Sequence, residues 1–338
     1  MDSLTQIVLG ASVGEACLGK KIGNKAIFWG AIAGTIPDLD VVIGWFTDQL
    51  TANELHRGFS HSILFSVLFS PLFGYLVHRY YKKLKTTWRD WVKLFFWGML
   101  THPLLDAFTT WGTQLFWPYD YKIAFKSIFV VDPLYTIPFL YCLLVAMFFK
   151  PKNPKRARIN NFGIYISSGY LLLTLLLKWH TYTIFQEGAE KQGIPFESIQ
   201  TKPTPFNIIL WNANIKTEDA YYIGNYSLLD KGHDIDFVKF PKNLDLAMSI
   251  YKQPTFQRLV KLSEGWYTLQ KKDGKLYFND LRFGVMDVNL KDDVFVFRYE
   301  LKDNDQGTLE AIQSSPDPKL VKPLIEKLYK RVLGKHIN

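Results

Sequence analysis

Apolar positions are spread very unevenly along this chain. Through residue 180 they gather into runs long enough for a membrane-crossing helix, which needs about 20 mainly apolar residues. These runs lie at 26–46, 61–78, 92–111, 128–149 and 162–180. A sixth, 4–19, is shorter and glycine-rich and fits either a span or a helix buried among the others. Beyond residue 180 the pattern changes. Segments such as FNIILWNANI, AYYIGNYSLL, DFVKF, GWYTLQ, KLYFNDLRF and DVFVFRYEL are short, aromatic and β-branched, with partial period-two alternation, which predicts strands. Asp273-Gly274 between two of them predicts a type I′ hairpin turn. After Pro316 and Pro318, the run LVKPLIEKLYKRVLGK predicts a closing amphipathic helix that Pro323 starts or kinks. The expected fold class is therefore a multipass α-helical membrane domain, 1–180, followed by a β-rich (α+β) extramembrane domain, 181–338.

Charge sharpens that division. Residues 1–180 hold 18 Lys/Arg and 10 Asp/Glu, whereas 181–338 hold 22 and 21. Loops rich in Lys and Arg stay in the cytoplasm. Basic residues collect at 20–25, 79–93 and 150–158, while the loops 47–60 and 112–127 are nearly balanced. The alternation puts the first three inside and the other two outside, together with everything after residue 180. The net charge of +9 is then a consequence of topology, and no nucleic-acid partner is expected, since basic and aromatic residues are not interleaved. Cys17 and Cys142 both lie in apolar stretches, which excludes a disulfide scaffold or a thiolate metal site. No positive charge precedes the first apolar run, so the cleaved signal-peptide pattern is missing.

Ionisable groups inside membrane segments are costly, roughly 3 kcal/mol each, and mark function by default. Three motifs carry them: Pro37-Asp38-Leu39-Asp40, His56-Arg57-Gly58-Phe59-Ser60-His61 and His102-Pro103-Leu104-Leu105-Asp106. The topology gathers all three near the outer face. His102 and Asp106, at i and i+4, stack on one helix face. Pro37 breaks its helix, and in an extended stretch Asp38 and Asp40 would point the same way. Gly58 gives the histidine loop freedom, and Ser60 is a candidate N-cap for the next helix. A single Asp–His pair is often a structural hydrogen bond or a proton relay, but six such groups at one depth would repel or stay unsatisfied without a cation. Asp38, Asp40, His56, His61, His102 and Asp106 are the expected ligands of one or two divalent transition ions. Mixed N/O donors without thiolate suit Zn²⁺, Mn²⁺ or Fe²⁺. Arg57 is placed to clamp an anionic substrate. Asp132, before Pro133, reads as a helix cap, Glu15 as a partner for a nearby Lys, and His78, His180, His233 and His336 as lying outside the site.

With these motifs and the opening Met1-Asp2-Ser3-Leu4-Thr5-Gln6, the chain resembles the LexA-binding, inner-membrane-associated hydrolases, also called membrane-bound metal-dependent hydrolases. Many members of that family carry His where this chain has Gln6. The resemblance implies a multipass bacterial inner-membrane protein with a metal site. The leading expectation is a metal-dependent hydrolase at the outer membrane face, acting on a phosphoester of an amphiphilic, lipid or lipid-linked substrate. Asp38, Asp40 or Asp106 would serve as base where not needed as ligand. A metal or proton transporter, and a non-catalytic membrane regulator with a structural metal, use the same residues.

Overall fold

The computed structural model describes residues 1–290, 294–304, 307–314 and 318–335; Pro316 and His336 lie outside them. The chain divides into two compact units, one built from Met1–Thr47, Leu55–Leu176 and Pro205–Asn207, the other from Asp48–Glu54, Leu177–Thr204 and Ile208 onward.

The first unit is helical. Helix α1 (Ser3–Ile22) starts where Asp2 accepts hydrogen bonds from the Thr5 backbone N–H and hydroxyl (3.1 and 2.6 Å). It ends at Gly23, whose φ of +61° turns the chain into α2 (Asn24–Thr35). The glycine-rich run is thus a complete helix of 20 residues. Its glycines set the packing: a Cβ at Gly14 would lie 2.3 Å from the Ala26 carbonyl oxygen, and one at Gly30 would lie 2.3 Å from that of Gly10. Small residues at four-residue spacing on both helices allow backbones to approach this closely. Pro37 then ends regular α-helix, and Ile36–Trp45 continues as a 3₁₀ helix.

Helix α4 (Ile63–Tyr80) is capped by Ser62, which accepts from Phe65 N–H (3.0 Å); the cap is therefore two residues beyond the expected Ser60. Helix α5 (Trp88–Asp106) opens with a Thr87/Asp90 capping box. Helix α6 (Pro133–Met147) is capped by Asp132, as its sequence predicts. Helix α7 (Pro154–Lys191) runs 38 residues, well beyond the expected end at 180, and its two ends belong to different units. Buried Leu18, Ala26, Ala33, Trp91, Leu94, Phe95 and Met99 form one core, and Val8, Ala11, Leu105, Tyr135, Phe139 and Leu143 another.

Among the described residues, three helical segments are long and apolar enough to cross a membrane, Asn24–Trp45, Ile63–Tyr80 and Pro154–Lys191, while α6, with 15 residues, is apolar but shorter. The expected spans at 92–111 and 128–149 shrink for local reasons. In α5 the helix stops at Asp106 and its first turns carry Arg89, Asp90 and Lys93, while α6 begins only at Pro133, after the extended cap residue Asp132.

The second unit holds two four-stranded antiparallel sheets, each a simple meander. The first contains β1 (Ser198–Pro203), β2 (Leu210–Lys216), β3 (Ala220–Ser227) and β4 (Val238–Pro241); the second contains β5 (Tyr267–Lys272), β6 (Lys275–Val285), β7 (Phe295–Asp303) and β8 (Leu309–Ser314). Asp273 and Gly274 have φ of +52° and +76°, as a type I′ turn requires. The end of α7 brings Ile184 and Phe185 against Trp211, Ala213 and Tyr226 of the first sheet. Short α3 (Gln49–Leu55) belongs largely to this unit; its Glu54 pairs with Arg258 of α8 (Pro254–Leu262) at 2.8 Å. The closing helix, α9 (Pro318–Val332), contains Pro323 instead of starting there. Strands β1 and β8 carry too few apolar residues in period to be read from sequence, and helix α8 is only nine residues long.

Candidate metal centre

Three short pieces of the first unit deliver the polar residues. The 3₁₀ helix carries Asp38 and Asp40, the connection into α4 carries His56 and His61, and the last turn of α5 carries His102 and Asp106. The expectation of an extended stretch at 38–40 is incorrect, because the chain stays helical after Pro37 but tightens. The same segment turns Leu39, Val41 and Trp45 outward, 62%, 55% and 79% exposed.

Four donor atoms converge. Asp38 Oδ1 lies 3.3 Å from both His61 Nε2 and His102 Nε2, these two nitrogens are 3.1 Å apart, and Asp106 Oδ2 is 3.7 Å from each. The protons on the far side of each imidazole explain what these atoms are. His102 Nδ1 faces the Gly34 carbonyl oxygen at 2.6 Å, and a carbonyl only accepts, so Nδ1 is the donor. His61 Nδ1 faces Ser60 Oγ (3.0 Å) and Asp40 Oδ2 (3.3 Å); Ser60 gives its own proton to Asp40 (2.9 Å), so His61 Nδ1 donates as well. In their neutral forms both Nε2 atoms therefore present lone pairs to one another and to two carboxylates. His61, His102 and Asp106 are buried, and Asp106 Oδ2 has no well-aligned hydrogen bond. Such an arrangement is repulsive unless a positive charge, a metal ion or a proton on one Nε2, sits among the lone pairs. The spacing fits one: tetrahedral bonds of about 2.0–2.2 Å place ligand atoms about 3.3–3.6 Å apart. The quartet can bind a metal.

A second group, Asp38, Asp40 and His56, shares Asp38 with the first. Asp40 is the most heavily engaged of the three. Its Oδ1 accepts from His56 Nδ1 (2.9 Å), and its Oδ2 takes Arg57 N–H (3.1 Å) and the Ser60 hydroxyl (2.9 Å) beside His61 Nδ1. Among the six residues, Asp38 and His56 keep the most exposure, 27% for each side chain, and mark the open side.

Backbone hydrogen bonds hold the histidine connection on both sides of Gly58, whose φ of −90° and ψ of −118° lie outside the helical and extended regions. Gly58 N–H donates to Leu55 O (3.1 Å), His61 N–H to Gly58 O (3.1 Å), and Gln114 N–H to Arg57 O (3.1 Å). Arg57 itself has a φ of +64°, a strained conformation for a residue with a Cβ. Its buried guanidinium donates to Thr109 Oγ1 (2.9 Å), and its Nε lies 3.0 Å from Asp106 Oδ2, close enough for an ion pair though poorly aligned for a hydrogen bond. The Met1 amino group and Gln6 Nε2 (3.0 Å) both contact Asp106 Oδ1.

The residues that sequence reasoning passed over act through others. The Gly34 carbonyl has no signal of its own in the sequence, and Thr109 lies just beyond the last motif. Glu15 does find a cation, but it is Arg156 (2.6 Å), not a Lys. Among the described residues, groups able to hold a metal draw only on the six expected side chains, and His78, His180 and His233 are not among them.

All six fall within residues 1–184, and that stretch matches the sequence profile of the YdjM inner membrane protein family. This chain belongs to that family. YdjM-family membership makes it an inner membrane protein, in keeping with its apolar helices. Two relatives share parts of the chain. The uncharacterized protein YfhP of Bacillus subtilis (strain 168) is 26% identical over 235 residues, covering 66% of this chain and 68% of YfhP. The inner membrane protein YbcI of Escherichia coli (strain K12) is 29% identical over 143 residues, 38% of this chain and 81% of YbcI. No solved structure matches this YdjM-family chain.

Proposed function

We propose that the protein is a membrane-bound metal-dependent hydrolase, with its centre at the outer membrane face, acting on a phosphoester of a lipid or lipid-linked substrate. The observation that carries this reading is the convergence of two bare imidazole nitrogens and two carboxylates in a buried site. Asp38, His61, His102 and Asp106 would hold one ion, and Asp38, Asp40 and His56 a second. Zn²⁺, Mn²⁺ and Fe²⁺ suit such donors. A divalent ion there supplies Lewis-acid polarisation of the scissile group and activates water.

The chain's own residues supply the rest. Asp40 fixes the ring of His61 and, through Nδ1, that of His56, so the one lone pair of His56, on Nε2, holds the second ion or, where a single ion is bound, takes a proton on the open side. Arg57 keeps a permanent positive charge beside Asp106, where an anionic group entering from the Asp38 side would be stabilised. The outward apolar side of the 3₁₀ helix, Leu39, Val41 and Trp45, supports an amphiphile that reaches the centre from the bilayer. The test is metal-dependent turnover of a bacterial lipid extract by purified protein. Release of phosphate or a phosphorylated headgroup that stops on chelation and returns with Zn²⁺ or Mn²⁺ is expected. Metal-loaded protein that turns over no lipid, yet carries the ion across vesicle membranes, would replace hydrolysis with transport.

A further inference from the structure

The opposite end of the first unit holds a cleft that the metal centre does not use. Helix α1 has 20 residues, about 30 Å at 1.5 Å per residue, close to the thickness of a bilayer's hydrocarbon core. Its first turn lies beside the metal centre, where the Met1 amino group meets Asp106, and its last turn carries Lys20 and Lys21. There Lys20, Lys152, Asn153 and Arg158 surround a cleft of about 430 Å³, open on one side.

The chain around this cleft is well fixed. Pro151 packs on Gly23, where a Cβ would come within 2.9 Å of its ring. Arg156 points inward, donating to Glu15 (2.6 and 2.7 Å) and to the Phe149 carbonyl oxygen (2.9 Å). Asn153 Oδ1 accepts from Lys155 N–H (2.9 Å), so the start of α7 is already capped. The charge of the cleft therefore comes from side chains. Glu15 is spent on Arg156, and the exposed Lys20, Lys152 and Arg158 have no carboxylate partner among the described residues. Below Arg158, at i+4 and i+7 on the same face of α7, Phe162 and Tyr165 are 59% and 70% exposed.

We propose that this cleft binds the headgroup phosphate of an anionic phospholipid, in the leaflet opposite the metal centre. Arg158 offers the forked donor pair that matches a phosphodiester, and the two ammonium groups add charge. Phe162 and Tyr165 give the acyl chains an apolar track leading away from the headgroup, which favours a lipid over a soluble anion. The position agrees with the face on which basic loops collect.

Native mass spectrometry of the full chain in detergent, titrated with phosphatidylglycerol or phosphatidylcholine, tests this. The wild type should bind phosphatidylglycerol at least about 10-fold more tightly. Each basic group contributes about 5-fold, so the triple variant Lys20→Gln, Lys152→Gln, Arg158→Gln should lose about 100-fold and with it the preference. A control with Lys82→Gln, Lys83→Gln and Lys85→Gln removes equal charge from a loop that the Lys21–Asp90 pair (2.7 Å) ties to the same end, and should keep the preference. All six side chains are exposed, so folding is not at stake. Equal losses in both variants, no loss in the first, or inorganic phosphate binding as tightly as phosphatidylglycerol would each overturn the proposal.

Discussion

Replacing Asp40 by Asn tests whether this carboxylate sets the metal centre by orienting histidines. Asp40 is 5% exposed and receives four donors, one on Oδ1 and three on Oδ2. An amide has one acceptor oxygen. If that oxygen takes the Oδ2 position, Arg57 N–H, Ser60 and His61 keep a neutral partner, while the NH₂ faces His56 Nδ1 and forces the other tautomer. Hydrogen bonds to an ionised acceptor are roughly twice as strong as neutral ones. Loss of such a partner behind a metal-ligating histidine typically weakens metal binding about 10–100-fold, or about 1.4–2.7 kcal/mol. Competition against a chromophoric chelator in detergent measures this, and metal analysis gives the stoichiometry. The expected result is the weaker affinity for an ion that Asp38, His61, His102 and Asp106 still hold. An affinity within about 2-fold of wild type would refute the orienting role. Loss of the second ion with the affinity of the first unchanged would leave Asp40 only its part as a ligand.

Four further outcomes follow from the same geometry. Asp106→Asn should strip the metal and leave buried Arg57 and the Met1 amino group without their carboxylate, costing about 3–5 kcal/mol in thermal or denaturant unfolding; the double change Arg57→Met, Asp106→Leu should restore only part of the stability, because the Met1 amino group stays unpaired, and not the metal. Gly30→Ala drives a methyl group to 2.3 Å from the Gly10 carbonyl oxygen and should cost about 1–3 kcal/mol; a loss under about 0.5 kcal/mol would mean α1 and α2 separate freely. Arg57→Lys should retain metal but lower turnover on an anionic substrate roughly 10–1000-fold, and wild-type turnover would remove Arg57 from the reaction. Reporter fusions at Lys85, Asn153 and the C-terminus should read inside, inside and outside, and a cytoplasmic C-terminus would move the centre to the inner face.

Much of the centre was legible because its chemistry is expensive. Carboxylates and imidazoles in apolar runs stand out against a hydrocarbon background, and basic loops alone bring the three motifs to one depth. The strands of the second unit were legible where aromatic and β-branched residues alternate, as in β2, β3 and β6, and not in β1 or β8, whose polar composition needs a neighbouring strand to hold it. Span lengths were less well read, since hydropathy does not register where a helix starts: α6 waits for Pro133, and α7 runs on to Lys191 because Ile184 and Phe185 find a sheet to pack on.

By itself, then, the sequence singled out six side chains that the fold brings together as possible metal ligands, and placed helices before sheets, since burial cost and periodicity are local properties. Only the tertiary structure decided how those side chains face one another. The direction of the two imidazoles depends on the Gly34 carbonyl and the Asp40 carboxylate, each brought in from a separate segment. The placing of Gly34 depends in turn on α1 and α2 touching through glycines, where a Cβ at Gly34 would lie 2.7 Å from the Gln6 carbonyl oxygen. Tautomer and ligand direction are set by contacts between residues distant in the chain, and no pattern read along one strand of sequence contains them.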